Sequence, residues 1–106
     1  MITEEILLNN GFTRGIYSYD EYGHTMSYLK YSYGPLVFVT LTDYYVHIFE
    51  YLDDNTETCG RDTISVFADI SFLKNTISEI YKDKLKSIDK QISKLEANKK
   101  SYSKYV

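Results

Sequence analysis

The stretch DISFLKNTISEIYKDKLKSIDKQISKLEANKK, Asp69 to Lys100, decides how the rest of the chain must fold. It holds neither Gly nor Pro, so nothing in it forces a helix to break. Asp69 or Ser71 serves as its N-cap, a short polar side chain able to accept from an early N–H. Ile70, Leu73, Ile77, Ile80 and Tyr81 form a broad apolar stripe, wide enough to pack on a sheet. From there the stripe narrows to Tyr81, Leu85, Ile88, Ile92 and Leu95, at alternating spacings of four and three. That is the a/d seam of a coiled coil, and it fades at Lys99 and Tyr102. A helix running to Lys100 would be roughly 45 Å long at ~1.5 Å per residue. A body of this size is only about 25–30 Å across. The spacing therefore predicts a body over residues 1–80, with residues 81–106 projecting from it as a helix whose seam needs a cover.

Charge divides the chain at the same place. Residues 1–70 carry three cations, Arg14, Lys30 and Arg61, against eleven anions; residues 71–106 carry nine lysines against four anions. The overall net charge of −3 hides this acidic body and basic helix. Tyr is also unusual, 12 of 106 residues with no Trp, and nine of the twelve fall between Tyr17 and Tyr51. At 106 residues and 43% hydrophobic, the composition is that of one globular domain. No apolar run approaches the ~20 residues of a membrane span. Nor does the N-terminus have the order of a signal peptide. The single cysteine, Cys59, has no internal partner for a disulfide and suits a reducing compartment. A cytoplasmic protein is expected.

Working back from the helix, the body reads as strands. Thr3 caps a short N-terminal helix, Glu4 and Glu5 lie in its first turn, and Ile2 and Leu7 occupy the two positions of a hydrophobic staple. Asn9, Asn10 and Gly11 end it, and Phe12 folds back on Ile6, Leu7 or Leu8. Strands are expected over Gly15 to Tyr19, Thr25 to Tyr33, Leu36 to Thr42 and Tyr44 to Leu52. Asp20 to Gly23 and Gly34-Pro35 are the turns between the first three. Asp53 to Asp62 reads as a polar loop, and Thr63 to Ala68 as a last strand or an extended lead into the helix. The fold class is α+β: a short helix, a four- to five-stranded antiparallel meander, and a long C-terminal helix packed on one sheet face.

The chemistry-bearing residues form no recognisable constellation. His24 and His47 stand apart, without a nucleophile–base–orienter spacing. Cys59 lies two residues from Arg61, which is not enough for a reactive thiol. Asp53, Asp54, Asn55 and Glu57 are acidic but lack the EF-hand order, and His24, His47 and Cys59 lack metal spacing. No glycine-rich phosphate loop is present. No enzyme, cofactor or metal is expected. Lys82, Lys86, Lys90 and Lys94 form a lysine row opposite the seam, which attracts phosphate in a salt-dependent way. Tyr-rich strands offer stacking partners for bases. Nucleic-acid or nucleotide binding is therefore the alternative reading, against which stand the scarcity of Arg and the acidic body. Self-association accounts for more: Tyr81, Leu85, Ile88, Ile92 and Leu95 need a cover, and the basic helix of one copy complements the acidic body of another. The expected partner is a second copy, a dimer first, with the acidic Tyr-rich body facing a protein partner.

The opening Ile2-Thr3-Glu4-Glu5-Ile6-Leu7-Leu8-Asn9-Asn10-Gly11-Phe12 resembles the start of small uncharacterised proteins of bacterial mobile elements and phages. In those, a short helix ending in Asn-Gly-Phe precedes a Tyr-rich meander and a closing strand and helix. The resemblance covers residues 1 to about 80, and the lysine-rich helix departs from it. It implies an accessory or host-interaction protein and carries no activity with it.

Overall fold

The computed structural model describes residues 1–51, 58–89 and 102–106; the side chains of Tyr19 and of residues 87–89 are not described. Helix α1 spans Glu4–Asn9. Five strands follow, β1 (Thr13–Glu21), β2 (His24–Tyr33), β3 (Val37–Leu41), β4 (Tyr45–Tyr51) and β5 (Thr58–Ser65), and then helix α2 (Ile70–Asp89). The strands form one antiparallel sheet in sequence order. The α+β class and the meander are thus as the sequence predicts.

Local chemistry explains the ends of α1. The Thr3 hydroxyl accepts from the Ile6 N–H. Gly11 takes φ +90 beyond the helix, and the Phe12 N–H returns to the Leu7 carbonyl, the bond of a Schellman-type stop. Ile2, Leu7 and Phe12 are all buried. At the other helix, Asp69 rather than Ser71 stands at the N-cap, its carbonyl accepting from Phe72 and Leu73. Strand β5 begins at Thr58, so Thr58 to Asp62 pairs with β4 instead of forming a loop. A bulge opposite Ile48 and Phe49 absorbs the extra residue, Arg61.

Alternation sets the two sheet faces. Tyr31, Val37, Val39, Val46, Ile48 and Ile64 point to one face, where Leu7 of α1 and Leu73, Ile77, Ile80 and Tyr81 of α2 complete the core. Phe38 points to the other face and is fully buried there, outside that core. It stacks on Phe49 at 5.1 Å and lies 5.4 Å from Tyr17 and 5.2 Å from Tyr51. Lys30 Nζ sits 5.3 Å over the Phe38 ring and donates to the Tyr51 hydroxyl. The hydroxyls of Tyr17 and Thr58 are 3.3 Å apart, although they belong to the two outermost strands, β1 and β5. In a flat sheet those strands would lie about 19 Å apart. The sheet is therefore tightly coiled, with its right-handed twist closing one face around Phe38.

The projecting helix needs correction. Tyr81 is fully buried in the chain's own core, and Leu85 packs against that core. Tyr102 and Tyr105 lie on the same body, with ring centroids 5.8 Å and 4.9 Å from Tyr81. A straight helix from Tyr81 to Tyr102 would separate them by about 31 Å. Residues 90–101 between them lie outside the described residues, but the described ends are brought together on one body. The reason is the aromatic surface that Tyr33 and Tyr81 offer, which Tyr102 and Tyr105 cover.

Candidate interaction surface

Strands β1 and β2 are longer than their neighbour. They pair with each other from Thr13–Ser32 to Glu21–His24, but β3 meets β2 only at Tyr31, Ser32 and Tyr33. Beyond Tyr31 they form a two-stranded arm. A lone two-stranded ribbon is marginal in water, so this arm needs fixing at its root. Glu4 of α1 does so: Arg14 of β1 reaches its Oε1 at 3.0 Å, and the Tyr31 O–H of β2 donates to its Oε2 at 2.5 Å. Arg14 and Tyr31 are themselves cross-strand partners. The Tyr31 hydroxyl, with help from the Arg14 guanidinium and against some burial, holds the Glu4 carboxyl below its usual range. Burial first, and the Glu4 carboxylate second, push the Tyr31 phenol up to about 12.

The arm tip is a two-residue turn with φ 51 at Tyr22 and φ 79 at Gly23, the backbone of a type I′ hairpin. Gly suits this position and Tyr does not, since a Cβ is strained at positive φ. Tyr22 is nevertheless held there, 93% exposed. Along the arm Ile16 and Leu29 face each other across the strands, 67% and 52% exposed, and Met26 and Tyr28 are exposed on the other face. A second exposed apolar area lies toward the β4–β5 edge of the sheet. There Ile2 N–H bonds the Val66 carbonyl and Val66 N–H bonds the Tyr44 carbonyl, and the side chains of Tyr44 and of Phe67, the residue after Val66, are exposed.

The residues singled out in the sequence are scattered. Tyr81 donates its O–H to the Tyr33 carbonyl at 2.6 Å and accepts from the Leu36 N–H at 3.1 Å; burial raises its pKa. Leu85 is half-buried against the core. Ile88 lies within α2, but its side chain is not described, and Lys90, Ile92, Lys94 and Leu95 lie outside the described residues. Lys82 and Lys86 are exposed, but Glu79 and Asp83 share their stretch of α2, and Lys82 pairs with Glu79 at 3.2 Å. Phosphate attraction by that part of the helix is thereby offset. On the Tyr-rich sheet face, expected as a stacking platform, Tyr17 and Tyr51 pack on Phe38 together with Phe49, while Tyr28 and Tyr45 are exposed.

His47 and Cys59 point to opposite faces and form no dyad: His47 Nδ1 lies 3.2 Å from the Thr63 hydroxyl, and Cys59 is paired with Glu50 across the strands. Cys59, Arg61, Asp62, Thr76, Glu79 and Asp83 line an open cleft of about 340 Å³ between β5 and α2. Its cation is already engaged, Arg61 reaching Glu50 at 3.2 Å and Asp83 at 3.9 Å. The acidic run Asp53, Asp54, Asn55 and Glu57 lies outside the described residues, and among the described residues no cluster has metal-holding geometry.

The arm is what sequence reading missed. Its signal was present in the length of the alternation from Thr25 to Tyr33 against the short run from Leu36 to Thr42. Comparison with family models, curated proteins and solved structures finds no match.

Proposed function

We propose that the chain is a non-enzymatic protein–protein interaction module that associates with itself, and that the β1–β2 arm is its contact element. One observation carries this. Tyr22 holds a strained backbone at the arm tip while 93% exposed, and an exposed aromatic kept at a conformational cost suits a contact made outside the fold. Behind it the arm exposes further uncharged apolar residues, Ile16 and Leu29 on one face and Met26 on the other. Asp20 and Glu21 next to the tip disfavour a phosphate backbone or an anionic membrane as the occupant.

The sequence-based contact through Leu85, Ile88, Ile92 and Leu95 remains the second place for self-association. It begins at a disadvantage, because Tyr81 and Leu85 are already covered by their own chain. An accessory role in a phage or mobile element is the context that the resemblance of residues 1 to about 80 supports. Sedimentation velocity of the full chain from micromolar to millimolar concentration tests the reading. The expected result is a sedimentation coefficient that rises with concentration; a monomer throughout overturns it.

A further inference from the structure

Among the described residues, three stretches of strand edge differ in what they carry. The outer edge of β1 carries Arg14, Asp20 and Glu21. The outer edge of β5 carries Arg61 and Asp62 and a bulge. Charges and bulges of this kind are how sheets avoid pairing with other chains. The third edge is that of β2 beyond Tyr31, its last pair with β3, which itself runs on to Leu41 beside β4 without pairing with β2. From His24 to Leu29 it reads His-Thr-Met-Ser-Tyr-Leu, with no Lys, Arg, Asp or Glu.

The turn geometry tells which backbone groups face outward there. In a two-residue hairpin the flanking residues, here Glu21 and His24, form a hydrogen-bonded pair. Hydrogen-bonded and non-bonded pairs then alternate, so Thr25, Ser27 and Leu29 turn their N–H and C=O groups away from β1. Since β3 reaches β2 only from Tyr31, these groups have no strand beside them among the described residues.

We propose that this edge takes a second copy of the same edge, β2 to β2 in antiparallel order about a two-fold axis through Ser27. This rests on the self-association reading above and names its site. The free edge is bounded by the turn at Gly23 and by β3 at Tyr31, and strand His24–Lys30 of a partner copy fills it end to end. Centred on Ser27, all three outward residues are used: Ser27 pairs with its copy and Thr25 pairs with Leu29 in both directions. Between them Met26 meets Tyr28, a thioether against an aromatic ring. Lys30, opposite His24, has its ammonium drawn away onto the Phe38 and Tyr51 rings. The contact is isologous, as two-fold dimers require. One strand pair buries less than the about 800 Å² per partner of standard complexes, so the dimer is weak and concentration-dependent.

Ser27→Pro removes an outward N–H, which an edge strand tolerates, and leaves the backbone hydrogen bonds to β1 in place; it also loses the Ser27–Ser18 hydroxyl contact of 3.0 Å, which the comparison variant Ser18→Pro loses equally. Leu29→Lys puts a guarding charge on the same edge. Ser18→Pro, on the outer edge of β1, and Phe67→Glu, in the second apolar area, are the comparisons. The expected result in sedimentation velocity is that Ser27→Pro and Leu29→Lys lose the concentration-dependent rise while Ser18→Pro and Phe67→Glu keep it. In the wild-type chain the Thr25, Ser27 and Leu29 amides should exchange more slowly with solvent as concentration rises. If the chain associates, yet Ser27→Pro and Leu29→Lys associate as well as wild type and those amides do not slow, the edge is overturned and self-association stands. Loss with Phe67→Glu alone overturns the edge in the same way. A wild-type chain that is monomeric at every concentration removes both.

Discussion

Tyr22 shows how one residue can set fold against function. At φ 51 its side chain costs about 1 kcal/mol relative to a residue suited to the left-handed region. Tyr22→Asn is expected to raise thermal stability by about that amount while weakening association, read by melting and by sedimentation on the same samples. Gly34 is the opposite case. It has φ +78, and an added Cβ would run into the Tyr81 hydroxyl and come within 2.7 Å of the Tyr105 ring. Gly34→Ala should cost at least about 1–2 kcal/mol in a denaturant titration. Two buried phenols should also be visible spectroscopically, since the chain has 12 Tyr and no Trp. In an alkaline absorbance titration Tyr31 should ionise near 12, above the ordinary tyrosine value of about 10, and Tyr81 later still, because burial disfavours both phenolates. The sign for Tyr31 follows. Its folded pKa is above its unfolded one, so its contribution is complete below about pH 10 and is lost as pH rises toward 12. Glu4 works at the other end: its folded pKa is lowered, so its contribution is present at neutral pH and is lost on acidification through that lowered value.

At the scale of elements, the arm and the coiled sheet depend on two separate small clusters. The arm root rests on Glu4, Arg14 and Tyr31. Glu4→Gln should loosen it, seen as faster amide exchange in β1 and β2 with the exchange of α2 nearly unchanged. Phe38 is the centre of the second cluster, and Phe38→Ala should cost about 3–5 kcal/mol, as truncating a fully buried aromatic does. Much of this level was legible in the sequence. Thr3, Ile2, Leu7 and Gly11 marked both ends of α1, and the alternation located the strands to within a few residues. The start of β5 was misread because Thr58 to Asp62 is polar, and such residues form a strand only when a partner, here β4, pairs with them.

At the scale of the whole molecule, the C-terminal residues act as a strap over the place where α2 meets the sheet. Tyr105 packs on both Tyr33 and Tyr81, and Tyr102 on Tyr81. Removal of residues 102–106 should lower the melting temperature and bring the ionisation of Tyr81 back toward the ordinary tyrosine range, since its burial would be reduced. By itself the sequence determined the α+β class, the order of elements and the apolar stripe from Ile70 to Tyr81, because these follow from periodicity and local chemistry. Tertiary structure alone decided three things. It placed Tyr81 in the fold's own core and not in an intermolecular seam, since an a/d spacing states that a face needs covering but not what covers it. It closed the aromatic sheet face around Phe38, because coiling depends on how all five strands twist together. And it left the β1–β2 arm unpaired beyond Tyr31, because which backbone edges stay open depends on where a neighbouring strand parts from them, here β3 after Val39, which no local pattern encodes.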